Sequence, residues 1–415
     1  MSFYTPSSNI SNLPACSDAA LAHSRKLQAV IREEIAASGG WISFARYMEL
    51  ALYYPGLGYY NGGATKLGGS GDFVTAPEVS TLFGSAVARQ VKQISGEIAG
   101  YHGKADVLEI GAGSGKLARD MLRELEQSDC LPQHYYILEV SAELRERQRK
   151  LLIEHTPHLM PRVTWLERLP EYFVGTILAN EVIDAMPVHL VEWRGNDVLE
   201  RGVVWQASEE HEQQESCGKF TWQNRPIAND ALKAVTGDLT QQINPQRDPD
   251  FMYGSEINQL AGSFICSLAG MLQQGAVILI DYGFGRGEYY HPQRNQGTLM
   301  CHYRHHAHGD PFYLPGLQDI TSHVDFSALY AAAEDAGLSL LGYTTQAHFL
   351  LNCGITEILS RTPVEDVQHY LPLTGQLQKL ISPAEMGELF KVIAFGKSFD
   401  PPLDGFVSGD KSRML

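Results

Sequence analysis

Three groups of residues in this 415-residue chain could do chemistry by type and spacing. The first is Glu109-Ile110-Gly111-Ala112-Gly113-Ser114-Gly115, between the apolar pair Val107-Leu108 and a helical pattern running to Leu125. Glycine accepts positive φ and lets a ligand approach the backbone, and the helix N-terminus behind it offers free amides and partial positive charge. Three nucleotide loops compete for this pattern. A Walker loop needs Gly-Lys followed by Ser or Thr, but Gly115-Lys116 is followed by Leu117 and position 110 is Ile. A dinucleotide G-x-G-x-x-G counted from Gly111 puts Lys116 at the last glycine. The third, acidic-x-G-x-G-x-G, binds S-adenosylmethionine (SAM), and Glu109, Gly111, Gly113 and Gly115 meet it in full.

The second group is Glu139, at the end of the next apolar run. A carboxylate there can accept both hydroxyls of a ribose and would repel a 2′-phosphate. The third is Asn180-Glu181-Val182-Ile183-Asp184, leaving the apolar run Ile177-Leu178-Ala179. It brings two carboxylates and an amide to the edge where a cofactor's reactive end would lie. Asn180 or Asp184 could instead cap a following turn.

These groups need strands to present them. Short apolar runs at 107–110, 135–140, 163–166, 176–179, 276–280, 338–343 and 391–395 alternate with helical patterns such as 143–152 and 325–336. Such alternation predicts an α/β fold, a seven-stranded doubly wound Rossmann-like sheet with its ligand at the strand carboxyl ends. Helical periodicity at 19–37, 43–52 and about 77–98 predicts an N-terminal helical segment over residues 1–100 that covers the site. Core residues 101–397 carry two long connections. Residues 188–275 hold an inserted β-hairpin or lid, and 283–322 form a substrate loop rich in Gly, Pro, Tyr and His. Residues 398–415 read as an irregular tail.

Composition narrows the function. Lys plus Arg number 32 and Asp plus Glu 48, a net charge of −16. That balance argues against a nucleic-acid backbone as partner and suits a cationic one. Six scattered cysteines without a CxxC pair, no membrane-length apolar stretch and no leader-like N-terminus lead us to expect a bacterial cytoplasmic protein. His302, His305, His306, His308 and Asp310 match no zinc spacing, so no metal is expected; substrate-loop or surface roles fit them better. Asp325, beside His323, reads as a helix cap. Tyr53, Tyr54, Tyr59 and Tyr60 either roof the cofactor or fill a domain contact.

Further motifs strengthen the SAM reading. Phe44-Ala45-Arg46-Tyr47-Met48, Tyr54-Pro55, Gly58-Tyr59-Tyr60 and Gly71-Asp72-Phe73-Val74-Thr75-Ala76-Pro77-Glu78 stand in order along the chain. Asn180-Glu181, Asp184-Ala185-Met186-Pro187, Ile280-Asp281-Tyr282-Gly283, Gly297-Thr298-Leu299 and the run from Gln318 to Phe326 follow. Over residues 25–397 the chain resembles the MidA-like class I methyltransferases. The family's mitochondrial members are protein arginine methyltransferases that help assemble respiratory complex I. The resemblance implies SAM as methyl donor and a protein arginine as acceptor, with a complex I subunit as the candidate protein. It also implies cofactor contacts for Thr75 and Glu78.

An arginine acceptor sets a demand. Its guanidinium has no free lone pair, and deprotonating it beforehand at neutral pH would cost at least about 7 kcal/mol at about 1.36 kcal/mol per pKa unit. Carboxylates must therefore align it and accept its proton as the bond forms. Glu181, nearer the cofactor, and Asp184, nearer the substrate, are the candidates; Asn180 would orient, and Glu78 with Asp72 would close the site. Two other classes are open: a non-catalytic SAM-binding assembly factor and an NAD-dependent oxidoreductase. The sequence carries no signal for an oligomeric state. Gly113→Val should weaken SAM binding at least about tenfold by calorimetry; equal affinity would remove the loop from the cofactor site.

Overall fold

The computed structural model describes residues 13–62, 75–102, 105–207 and 218–415. At its centre is a sheet built from β2 (Asp106–Ile110), β3 (Tyr135–Leu138), β4 (Val163–Leu166), β5 (Phe173–Asn180), β10 (Leu272–Phe284), β15 (Ser339–Thr345) and β16 (Phe390–Lys397). Their spatial order is β15-β16-β10-β5-β2-β3-β4. Strand β16 runs antiparallel to both its neighbours, while the pairs from β10 to β4 are parallel. These are the seven expected strands. An eighth, the two-residue β14 (Val324–Asp325), pairs with the end of β10. The second strand stops at Leu138, which leaves Glu139 just beyond it.

Side-chain alternation explains the layering. Ala276, Ile278 and Ile280 face one side of β10, and Val277 and Leu279 the other. On the first side lie α4 (Thr81–His102), α5 (Lys116–Gln127), α11 (Gln346–Asn352), α12 (Ile355–Leu359) and α13 (Val367–Ile381), with Leu152 of α6 (Ala142–His155). On the second lie α8 (Gln259–Met271) and α10 (Phe326–Asp335). At the sheet's entry edge Gly175 has φ +143°, and a Cβ there would run into the Asp106 carbonyl of the neighbouring strand.

The inserted hairpin is part of something larger. Strands β6 (His189–Arg194) and β7 (Asp197–Ala207) join β1 (Ile42–Ser43), β8 (Gly218–Pro226) and β9 (Met252–Ile257) in a five-stranded sheet with antiparallel pairing. Helices α1 (Asp18–Ala37) and α2 (Phe44–Tyr53) pack on it through Leu27, Ile31, Phe44 and Tyr47 against Leu190, Val203 and Phe220. Helix α7 (Asp230–Ile243) packs through Leu232 and Leu239 on Trp193 and Tyr253. Between β10 and β14 run the short α9 (Arg286–Tyr289) and a three-stranded sheet of β11 (Met300–Tyr303), β12 (His306–His308) and β13 (Asp319–Thr321).

Two expectations need correction. The helix expected from about 77 to 98 is broken at Ser80, whose backbone is extended, into α3 (Ala76–Val79) and α4. Ser80 caps the second piece, its hydroxyl accepting from the Leu82 amide at 3.3 Å. The tail is irregular but packed: Leu403 is buried, and the Lys411 amide donates to the Tyr343 carbonyl at 2.8 Å. Gly175→Ala should destabilise the fold by about 2 kcal/mol or more, read as a lower denaturation midpoint; an unchanged midpoint would mean that the strand pairing relaxes freely there.

Candidate active site

The glycine loop links β2 to α5. Gly111, Gly113 and Gly115 all take positive φ, at 67°, 52° and 86°. A Cβ on Gly115 would lie 3.1 Å from the Gln148 backbone. Gln148, fully buried on α6, ties the loop to Glu139: its amide nitrogen donates to the Gly113 carbonyl and to Glu139 Oε2, each at 3.0 Å. Glu139 Oε1 accepts from the Ser141 amide at 3.0 Å, and burial pushes this carboxyl above its ordinary range. Glu109 lies on β2 beneath the loop. It accepts the Tyr135 hydroxyl at 2.6 Å, and burial, with Glu139 nearby, lifts it to about 7.

The N-terminal segment reaches this loop through α3. Glu78 accepts from the Ser114 hydroxyl and from Lys116 Nζ, the latter at 2.6 Å. Thr75 stands at the N-cap of α3, and its carbonyl accepts from the Glu78 amide at 2.9 Å. Asp72 lies outside the described residues.

Past the end of β5 the chain turns sharply, with Glu181 at φ 51°. Glu181 Oε1 accepts from Asn180 Nδ2 at 3.1 Å and from the Ala76 amide of α3 at 3.4 Å. Burial, with Asp184 nearby, pushes its carboxyl up to about 8. Asp184 is buried; its Oδ2 accepts the Tyr282 hydroxyl at 2.6 Å, and burial lifts it to about 6. Its Oδ1 and Asn180 Oδ1 are buried and meet no donor among the described residues.

Sequence reasoning missed several members of this cluster. Asp281 and Tyr282 follow Ile280, the register partner of Asn180, so two parallel strands deliver their polar ends side by side. Asp319, fully buried on β13, accepts the Tyr60 hydroxyl at 3.0 Å. Tyr53 stacks on Tyr60 with ring centres 5.4 Å apart and donates to the Ala185 carbonyl at 2.9 Å. Burial, with Asp319, Asp184 and Glu139 in turn, raises the Tyr53 phenol far above its ordinary value. Of the four tyrosines, Tyr53 and Tyr60 thus reach the carboxylates, while Tyr59 is buried in the hydrophobic cluster beneath. Asp281, Tyr282 and Asp319 all sit in the motif runs quoted from sequence; Gln148 carried no such signal.

The remaining candidates fall elsewhere. His302, His306 and His308 lie on the β11–β12 hairpin, with His305 exposed at its tip. Burial lowers His302 to about 4. Among the described residues no group of three or more His, Cys, Asp or Glu side chains is placed to hold a metal. His323 packs edge-on against Tyr282, ring centres 5.3 Å apart, and burial lowers it to about 3, so it is neutral. Asp325 caps α10, accepting from the Ser327 and Ala328 amides at 3.0 and 3.1 Å. A cavity of about 270 Å³ adjoins Ile183 and His323. Its acid Glu256 is already engaged by the Thr298 and Leu299 amides at 2.8 and 2.9 Å.

An antiparallel strand set into a parallel sheet, a three-glycine loop and a carboxylate beyond the next strand define a class I SAM-dependent methyltransferase fold. The family model of S-adenosyl-L-methionine-dependent methyltransferases matches residues 84–344, and the chain belongs to that family. It is 31% identical to the mitochondrial protein arginine methyltransferase NDUFAF7 of Danio rerio, across 85% of this chain and 82% of that one. Against the human protein of that name it is 30% identical, across 86% and 80%. A Burkholderia thailandensis protein solved with S-adenosyl-homocysteine bound is 48% identical, with a TM-score of 0.89 over 97% of this chain and 100% of that one. The residues present fit the cofactor: three glycines at positive φ leave the loop backbone without side chains, and a carboxylate, Glu139, stands just beyond the next strand. The nicotinamide reading falls with the family assignment.

A buried acid at about 8 against its ordinary 4.5 keeps its proton in the folded chain where the unfolded chain has lost it. Glu181 therefore contributes stability that is full below about pH 4.5 and is lost as pH rises to about 8. Asp184, at about 6 against 3.8, acts in the same sense over a lower window. The melting temperature of the unliganded protein should fall between about pH 5 and about pH 8, and Glu181→Gln should flatten the upper half of that slope by scanning calorimetry. An unchanged slope would show that Glu181 carries no such proton.

Proposed function

We propose that this chain transfers a methyl group from SAM to an arginine nitrogen of a protein. The observation that carries this reading is the pair of buried acceptors, Asp184 Oδ1 and Asn180 Oδ1, that meet no donor among the described residues. Leaving such groups unpaired costs about 1–3 kcal/mol each. A guanidinium is the complementary group: five N–H donors and no acceptor. The names of the mitochondrial relatives support the same acceptor.

When bound, SAM supplies an electrophilic methyl on a sulfonium. In our reading the backbone at Gly111, Gly113 and Gly115, with Ser114, holds its methionine end and Glu139 its ribose. Glu109 supports the loop from below, and Thr75 and Glu78 close it from α3. Asp184 and Asn180 orient the guanidinium in the plane of their free oxygens. Glu181 takes the proton that the nitrogen sheds as its new bond forms. An incoming cation lowers the Glu181 carboxyl from about 8 toward the ionised state, so the base is made ready by its substrate. The acceptor we favour is an exposed arginine on a respiratory complex I subunit, by the resemblance to MidA-like proteins. We place the protein in the bacterial cytoplasm, in keeping with its scattered cysteines.

Mass spectrometry of cells with and without the gene should find a methyl-arginine that depends on it. In vitro, Glu181→Gln and Asp184→Asn should each lower methyl transfer by about 100-fold or more while SAM affinity stays within about threefold. Normal SAM binding with no gene-dependent methyl-arginine would favour an assembly factor that uses the fold without catalysis.

A further inference from the structure

Asp281 has no part in the scheme above, yet it is almost wholly buried, at 1% exposed, directly behind the acceptor groups. Its two oxygens accept three backbone amides. Oδ1 takes that of Tyr282 at 2.9 Å, and Oδ2 takes those of Ile183 and Asp184 at 3.0 and 3.2 Å. The Glu181 amide donates to the Ile280 carbonyl at 2.9 Å. The turn over residues 181–184, which carries both acceptor carboxylates, is thus pinned to the end of β10 at the amides of Glu181, Ile183 and Asp184. The first of these bonds goes to a backbone carbonyl just past the end of β5; the other two depend on one carboxylate.

We propose that Asp281 is the positioning residue of the acceptor site, fixing the 181–184 turn through its amides. This rests on the reading of Glu181 and Asp184 as acceptor groups. Burial, with Asp184 and Glu181 nearby, pushes this carboxyl well up against the pull of its amide donors, and an asparagine, with one acceptor oxygen and an NH₂ that meets N–H groups head on, cannot reproduce the three bonds. The charges facing Asp281 are few. Glu181 and Asp184 lie on the turn after β5, Tyr282 on its own strand and Asp319 on β13. Tyr53 and Tyr60 come from the N-terminal segment, and the neutral His323 precedes β14. Lys391, opposite Asp281 in register on β16, turns its ammonium to the Glu388 and Leu389 carbonyls. Loosening the turn lets water reach Asp184, whose carboxyl is held up by burial, and so favours its ionised form.

The test uses the full-length protein without cofactor or acceptor, so it stands apart from the methyl-transfer assay. Carboxyl carbon NMR on ¹³C-labelled protein follows Asp184, identified by the signal that Asp184→Asn loses. Asp281→Asn should lower the Asp184 titration midpoint by about one pH unit or more. It should also speed hydrogen exchange of the Ile183 and Asp184 amides at least about tenfold. Tyr282→Phe, which removes a donor from Asp184 and leaves Asp281 in place, should raise the midpoint and leave the two amides protected. An Asp184 midpoint unmoved in Asp281→Asn would overturn the proposal, as would equal loosening of the turn in both variants. Should Asp281→Asn fail to fold, freely exchanging Ile183 and Asp184 amides in the wild-type protein would overturn it, and protected ones beside the Tyr282→Phe result would support it. If gene-dependent methyl-arginine is absent while these results hold, only the proposed activity falls.

Discussion

Crowding of like charges is the constraint on which this site depends. Asp184, Asp281 and Asp319 are buried, Glu181 is partly so, and they arrive from three separated stretches of chain. At an effective dielectric constant of about 20, two such charges a few ångströms apart repel by several kcal/mol. Local preference does not assemble such a group; the sheet does. Strands β5 and β10 are apolar and buried along their shared length, and slipping either by one residue would turn its core side chains to the wrong face. The pairing therefore delivers Asn180 and Asp281 to one edge whatever their charges favour. The donors bonded to Glu181, Asp184 and Asp281 are backbone amides, Asn180 and Tyr282, which temper the repulsion without cancelling it.

The short helix α3 carries this constraint to the cofactor loop. Its first amide meets Glu181, and its one acid, Glu78, meets Ser114 and Lys116. A single turn of helix thus touches the glycine loop and the carboxylate cluster at once. The break at Ser80 makes this possible. A continuous helix would have tied the direction of this first turn to that of α4.

What was legible in the sequence follows from the same physics. The glycine loop could be read because all three glycines take positive φ, a requirement other residues rarely meet. The seven strands could be read because each is a short apolar run between polar helices. The five-stranded sheet could not: its hairpin is local, but its partners β1 and β9 come from before the first core strand and from beyond α7, and nothing in a two-residue strand announces its pairing. Gln148 was hidden on a charged helix, where one buried amide looks like another solvated residue. Asp281 and Asp319 were visible as motif members, but their roles depend on which ends the fold brings together. The split helix was hidden because Ser80 is compatible with a helix until its hydroxyl is seen capping the next one.

The reversed strand has a consequence for how the chain is made. Strand β16 lies between β10 and β15, so one side of β10 is completed only by a segment made long after it. Until residue 397 has emerged, β10 has an open edge, and its run from Ala276 to Ile280 lacks half its covering neighbours. A bare apolar edge is a template for pairing with other chains. Synthesis halted in the stretch between β15 and β16 would leave a molecule with its glycine loop and carboxylates already encoded but with a sticky edge along β10. The choice of sheet order makes this protein's vulnerability to aggregation a matter of timing, greatest between the synthesis of β10 and that of β16.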